Sequence, residues 1–136
     1  MKFLVDANVL SEPTRQAPDA RVVAWLRKHE QDLAVNPVIL GEIEYGILVL
    51  PRSRKRTRLE RWFATGVTRL RHLDFDIASA AAWARLLAEL KANGHAMPIK
   101  DSLIAATAQT HRLIVATRNT HDFRHSGIPV CNPFSA

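Results

Sequence analysis

The 136-residue sequence lacks the features that mark secreted, membrane-spanning or disordered proteins. Its single cysteine, Cys131, cannot form an intramolecular disulfide, which favours a reducing compartment. No apolar run approaches the roughly 18–20 residues of a membrane-spanning helix. The opening MKFLVD reaches an aspartate too early for the hydrophobic region of a signal peptide. With few glycines and 47% hydrophobic residues, we expect one cytoplasmic globular domain over residues 1–136, without a membrane partner.

Acidic residues are nearly missing from one segment of the chain. Residues 52–71 hold eight of the 19 basic residues and only one acid, Glu60, so the net charge of +6 is concentrated there. Arginine guanidinium groups bind phosphate through two parallel hydrogen bonds, which is typical of a nucleic-acid-binding surface. A solvated helix face, or a surface for an acidic protein partner, would have the same composition. Charge alone leaves these interpretations open.

Short apolar runs alternate with helical segments along the chain. The predicted strands are Lys2–Val5, Leu33–Val35, Arg71–Leu73, Leu113–Ala116 and Ile128–Cys131. The predicted helices cover residues 19–29, 38–50, 52–64, 77–93 and 99–110. Strands separated by helices favour an α/β/α sandwich with a central, mainly parallel sheet.

Three acids occupy positions where a parallel sheet would gather them. Asp6 ends the first predicted strand and Asp122 follows the strand LIVA, and open parallel sheets bind ligands beyond the carboxyl ends of their strands. Asp101 lies in the first turn of a predicted helix, where interaction with the helix dipole explains it equally well.

Glu42 is the least expected acid. On a helical wheel it lies on an apolar stripe, whereas Glu44 points about 200° away, towards solvent. The predicted members of the stripe are Val38, Ile39, Tyr45, Gly46 and Val49. A carboxylate on a core-facing stripe is unfavourable unless it is paired or bound to a metal. Glu42 therefore indicates a functional site with a cation or metal ion.

Carboxylates that converge on one pocket need a cation to offset their repulsion. Mg²⁺ or Mn²⁺ suits a site made of oxygen ligands and water. Next to an arginine-rich segment that binds phosphate, such a site favours metal-assisted hydrolysis of phosphodiester bonds.

Four sequence blocks, in order, resemble those of the PIN-domain ribonucleases, and above all the VapC-type toxins of type II toxin–antitoxin pairs in their FitB-like branch. The blocks are VDANVLSE (5–12), GEIEYGI (41–47), PIKDSLIAATA (98–108) and ATRNTHDF (116–123). The resemblance covers essentially the whole chain. It implies a PIN-like fold, a metal-dependent endoribonuclease acting on RNA, a homodimer, and inhibition by a cognate VapB-like antitoxin.

The resemblance also implies which residues form the site. The principal ligands of Mg²⁺, for which Mn²⁺ can substitute, would be Asp6, Glu42 and Asp101, with Asp122 as the fourth acid. Asn119 stands where many PIN domains have an acid, so either Asn119 or Asp122 completes the site.

Further residues would support the site or bind RNA. Asn8 and Thr117 match polar residues that support the first aspartate or a bound water. The expected RNA-binding residues are Arg54, Lys55, Arg58 and Arg118. A non-catalytic PIN module that binds nucleic acid or protein, and a DNA-directed nuclease, remain the alternatives. The complete acid set favours an enzyme, because a binding module gains nothing from carboxylates that face phosphate.

Overall fold

The structure is a computed structural model and describes residues 1–135. Within that range one sheet contains five strands, in the order β3-β2-β1-β4-β5, and every pairing is parallel. The strands are β1 (Phe3–Val5), β2 (Leu33–Val35), β3 (Arg71–His72), β4 (Ile114–Ala116) and β5 (Val130–Cys131). The predicted parallel sheet, flanked by helices, is confirmed.

The helices connect the strands close to the predicted positions. They are α1 (Ala7–Leu10), α2 (Ala20–Lys28), α3 (Pro37–Leu48), α4 (Arg54–Thr65), α5 (Ile77–Ala92) and α6 (Ile99–His111). Asp19 and Asp76 cap α2 and α5 by accepting backbone N–H bonds. Of the helices in residues 1–135, none is both long and apolar enough to cross a membrane.

The central strands are buried on both faces, which explains their unbroken apolar sequences. β1 pairs with β4 so that Val5 lies opposite Ala116. The residues that follow the two strands, Asp6 and Thr117, are therefore neighbours, and the Asp6 N–H donates to the Ala116 carbonyl at 2.9 Å. The sheet thus places the polar side chains of Asp6 and Thr117 side by side at the carboxyl ends of two inner strands.

The predicted apolar stripe of α3 is wrong in phase. Of its five members only Ile39 is buried, while Tyr45 is 69% exposed and Val49 61% exposed. The buried residues of the helix are Ile39, Ile43 and Ile47, spaced four apart. Because α3 has apolar residues on nearly every side, the helical wheel could not identify the face that packs on the sheet. Glu42 lies beside this buried row, and Glu44 is exposed as predicted.

Candidate metal centre and basic groove

Asp6 is held rigidly where β1 meets β4. The residue is 1% exposed, and its Oδ1 accepts the Ala7 N–H at 2.8 Å at the start of α1. Its Oδ2 accepts the Thr117 hydroxyl at 2.8 Å and the Asn8 amide at 3.4 Å. These hydrogen bonds fix the orientation of the Asp6 carboxylate.

Asn8 and Thr117 also organise the loop after β4. The Asn8 Oδ1 accepts the Arg118 N–H at 3.0 Å, and the Thr117 Oγ1 accepts the Asn119 N–H at 3.0 Å. The structure therefore places both residues beside Asp6, where the resemblance expects them. Asn119 joins this network through its backbone.

Asp101 is a buried carboxylic acid among other acids. It lies in the first turn of α6, with its side chain 4% exposed. Burial above all, together with the negative charges of Asp6, Asp122 and Glu42, raises its pKa to about 6 against the lowering effect of Lys100. The structure thus brings the four predicted acids close enough to interact. We call Asp6, Glu42, Asp101 and Asp122 the acid cluster.

Asp122 reaches the acid cluster from a short 3₁₀ turn, Thr120–Phe123. Phe123 is fully buried beneath this turn and anchors it. The Asp122 N–H donates to the Asn119 carbonyl at 3.1 Å, which closes the loop. The half-buried side chain of Asp122 is thereby held near Asp101.

Glu42 is paired with a lysine that the sequence analysis did not single out. The Lys100 Nζ donates to Glu42 Oε1 at 2.9 Å and lies 4.0 Å from Asp101 Oδ1. The other oxygen, Glu42 Oε2, is buried and has no hydrogen-bond partner in residues 1–135. The only local signal for Lys100 is its position directly before Asp101 in PIKD.

The acid cluster fits a divalent cation, although it is not a preformed site. Across the part of the chain that the structure describes, no three Asp, Glu, His or Cys side chains have the spacing of metal ligands. A cation would nevertheless compensate the buried, unpartnered Oε2 of Glu42, and it would offset the burial and acidic charges that raise the pKa of Asp101. An ammonium group already lies against Glu42. Carboxylate oxygens are also the donors that Mg²⁺ and Mn²⁺ prefer.

Two adjoining cavities run from α4 towards the acid cluster. The first, of about 690 Å³, lies between the loop after α1 and α4, and Arg15, Lys55, Arg58 and Trp62 are among its lining residues. The second, of about 450 Å³, is lined by Arg15, Lys55, Arg118 and Asn8, among others. We call these joined cavities the basic groove.

The basic groove contains most, but not all, of the expected RNA-binding residues. Lys55, Arg58 and Arg118 line it, whereas Arg54 lines neither cavity. Arg15 was missed, because a lone arginine in a loop carries no local signal. Through Asn8, which also bonds to Asp6, the groove leads to the acid cluster.

Glu12 is a buried acid that sequence reasoning missed. Its Oε2 accepts the Asp19 N–H at 2.8 Å, and its Oε1 lies 3.9 Å from Arg15 Nε. Glu12 therefore ties the loop that lines the basic groove to the start of α2. A glutamate between a serine and a proline gives no pattern from which this role could be predicted.

Comparison with known proteins identifies the family. The PIN domain model matches residues 3–127. The chain is 36% identical to Toxin FitB of Neisseria gonorrhoeae, over 97% of this chain and 98% of that protein, and 32% identical to VapC ribonuclease Y4jK of Sinorhizobium fredii, over 97% of each. The crystal structure of FitAcB from Neisseria gonorrhoeae superimposes with a TM-score of 0.92 at 35% identity, covering 98% of this chain and 99% of that one. The chain belongs to the PIN-domain family, in its VapC-type, FitB-like branch, as the sequence blocks predicted.

Proposed function

We propose that the chain is a metal-dependent endoribonuclease and the toxin of a type II toxin–antitoxin pair in the cytoplasm. It hydrolyses RNA phosphodiester bonds at a Mg²⁺ or Mn²⁺ site built from the acid cluster. One observation carries this proposal: Glu42 keeps a buried oxygen without a hydrogen-bond partner, while burial and the charges of the other three acids together raise the pKa of Asp101. Such an arrangement opposes folding unless a cation compensates it.

Each residue has a distinct role in this proposal. Asp6, Glu42 and Asp101 hold the ion, and Asp122 adds negative charge from the opposite loop. When bound, a divalent cation activates water for attack and neutralises the charge that develops on the phosphate. Thr117 orients the Asp6 carboxylate through its hydroxyl bond of 2.8 Å.

The basic groove supplies the path for the RNA backbone. Lys55 and Arg58 line the first cavity, and Lys55 and Arg118 line the second, which reaches Asn8, a hydrogen-bond partner of Asp6. Phosphates bound there would bring a neighbouring bond of the strand towards the acid cluster. Arg54 lies on the same helix outside the groove and makes a weaker, peripheral contact. Most of the binding free energy would come from the phosphates, which makes it sensitive to salt.

The solved relatives support a proposal about the binding partners of this chain. Solved relatives include the FitAcB complex and FitAB bound to a DNA fragment, the latter with a TM-score of 0.90 over 97% of this chain. On that likeness we propose that this chain forms a homodimer and binds a VapB-like antitoxin. The antitoxin would inhibit it by covering the acid cluster.

Two variants of α3 test the proposed chemistry. Glu42→Gln and Glu44→Gln remove the same charge from one helix, but only Glu42 belongs to the acid cluster, whereas Glu44 is exposed. Purified wild-type protein should cleave total RNA in Mn²⁺, Glu44→Gln should cleave it at the same rate, and Glu42→Gln should not cleave it. Full activity of Glu42→Gln would contradict the proposed site. Cleavage of DNA but not RNA by wild type would establish the DNA-directed nuclease instead.

A further inference from the structure

Lys100 is a cation inside a group of acids. Its ammonium forms a 2.9 Å ion pair with Glu42 and lies 4.0 Å from the Asp101 carboxylate. Partial burial lowers the pKa of Lys100, but the hydrogen bond to Glu42 and the charges of Asp101 and Asp6 outweigh this effect. Geometry alone therefore places a cationic side chain against two carboxylates of the acid cluster.

The position of Lys100 in α6 is unfavourable for a cation. It is the second residue of the helix, where the positive end of the helix dipole disfavours positive charge. Its side chain turns towards the acid cluster and remains 42% exposed, so it can leave without disrupting the core. What holds it there is the negative charge of the cluster, and any other cation would be held by the same charge.

We propose that Lys100 is an internal counter-cation that occupies Glu42 in the metal-free protein and competes with the divalent ion for it. This inference rests on the proposed function, because it takes the acid cluster as the metal site. Binding of the ion requires the Lys100–Glu42 pair to break. Lys100 therefore stabilises the metal-free fold and raises the metal concentration at which the site fills.

The expected effect follows from Coulomb's law. A divalent ion about 4 Å from a fixed ammonium would be repelled strongly enough to weaken binding well over tenfold. Because the lysine can swing away from the ion, we expect a net effect of about tenfold. Lys100→Met removes the charge but keeps most of the apolar stem. Lys91→Met, on the exposed end of α5, changes the net charge equally and serves as the control.

The test measures Mn²⁺ binding to the purified full chain by electron paramagnetic resonance of the free ion, without RNA. We expect Lys100→Met to lower the Kd for Mn²⁺ about tenfold, while Lys91→Met and the charge-retaining Lys100→Arg stay near wild type. In EDTA, Lys100→Met should unfold at a lower temperature than wild type, and saturating Mn²⁺ should close that gap. Lys100→Gln repeats the measurement if the methionine variant does not fold.

The outcomes separate this inference from the proposed function. An unchanged or higher Kd in both neutral variants, with wild type binding Mn²⁺ and cleaving RNA, would overturn the role of Lys100 alone. Wild-type protein that neither binds Mn²⁺ nor cleaves RNA would overturn both.

Discussion

Replacing Asp101 with asparagine should stabilise the metal-free protein while abolishing its activity. The Asp101 side chain is almost fully buried, and both its burial and the charges of Asp6, Asp122 and Glu42 oppose its ionisation. Asparagine has nearly the same shape and carries no charge. The variant therefore removes an unfavourable ionisation together with a proposed metal ligand.

The sign and size of the effect follow from the pKa. Folding raises the pKa of Asp101 from 3.8 to about 6, so the folded state binds this proton more tightly than the unfolded state. The resulting contribution to stability is fully present below pH 4 and is lost as the pH rises through 6. A shift of about two pKa units corresponds to about 3 kcal/mol, the upper limit for the gain in Asp101→Asn at pH 8. For a chain of this size, that gain raises the Tm by about 10 °C.

Thermal unfolding at pH 5 and pH 8, in EDTA and in saturating Mn²⁺, measures this effect. In EDTA we expect Asp101→Asn to have the higher Tm at pH 8 and to lose much of that advantage at pH 5. Mn²⁺ should raise the Tm of wild type at pH 8 and leave that of the variant almost unchanged. An equal or lower Tm for the variant at pH 8 in EDTA would show that the cluster does not destabilise the Asp101 carboxylate.

Three further variants test other parts of the site. Asp122→Asn should raise the Mn²⁺ concentration needed for half-maximal cleavage, because negative charge near Asp101 is lost. Replacing Lys55 and Arg58 together with glutamine should weaken RNA binding and reduce its salt slope by about 0.7 per lost phosphate contact on single strands, with Arg54→Gln as the weaker matched control. Thr117→Val should lower Mn²⁺ affinity and destabilise the fold by about 1–3 kcal/mol, because it leaves buried partners unsatisfied, whereas Thr117→Ser should restore both.

Each of these expectations has a clear contrary result. If the cleavage rate of Asp122→Asn depended on Mn²⁺ concentration as that of wild type does, Asp122 would not be part of the metal site. If the salt dependence of RNA binding changed in Arg54→Gln but not in the Lys55 and Arg58 double variant, RNA would bind outside the basic groove. Mn²⁺ affinity that is unaffected by Thr117→Val would show that the bond to Asp6 does not orient a ligand.

The elements that could be predicted are those with a continuous local pattern. The strands around Leu4 and Val115 are buried on both faces, so their apolar runs are unbroken, and parallel pairing then brings Asp6 to the same edge as Thr117. Asp6, Asp101 and Asp122 could be singled out because they stand at or near the ends of such elements, whereas Glu42 lies in the middle of α3. The hydrophobic periodicity of α3 did not predict its buried face, because apolar residues surround the helix and one of them, Tyr45, is exposed.

The elements that could not be predicted depend on single long-range contacts. Lys100 and Glu42 are far apart in the sequence and meet only because α6 and α3 converge. Arg15 enters the basic groove because Glu12 fixes its loop to α2. A solitary charged residue looks the same in a sequence whether it is solvated or paired, so such contacts emerge only with the fold.

The most direct test of metal-dependent RNA hydrolysis is the removal and return of the metal. Purified wild-type protein is treated with EDTA, incubated with total RNA, and then supplied with Mg²⁺ or Mn²⁺ in excess of the chelator, beside Glu42→Gln prepared identically. We predict no cleavage in EDTA, restored endonucleolytic cleavage when either ion is added, and no cleavage by the variant. Cleavage by wild type that persists in EDTA, or the absence of cleavage with either ion, would contradict a metal-dependent ribonuclease.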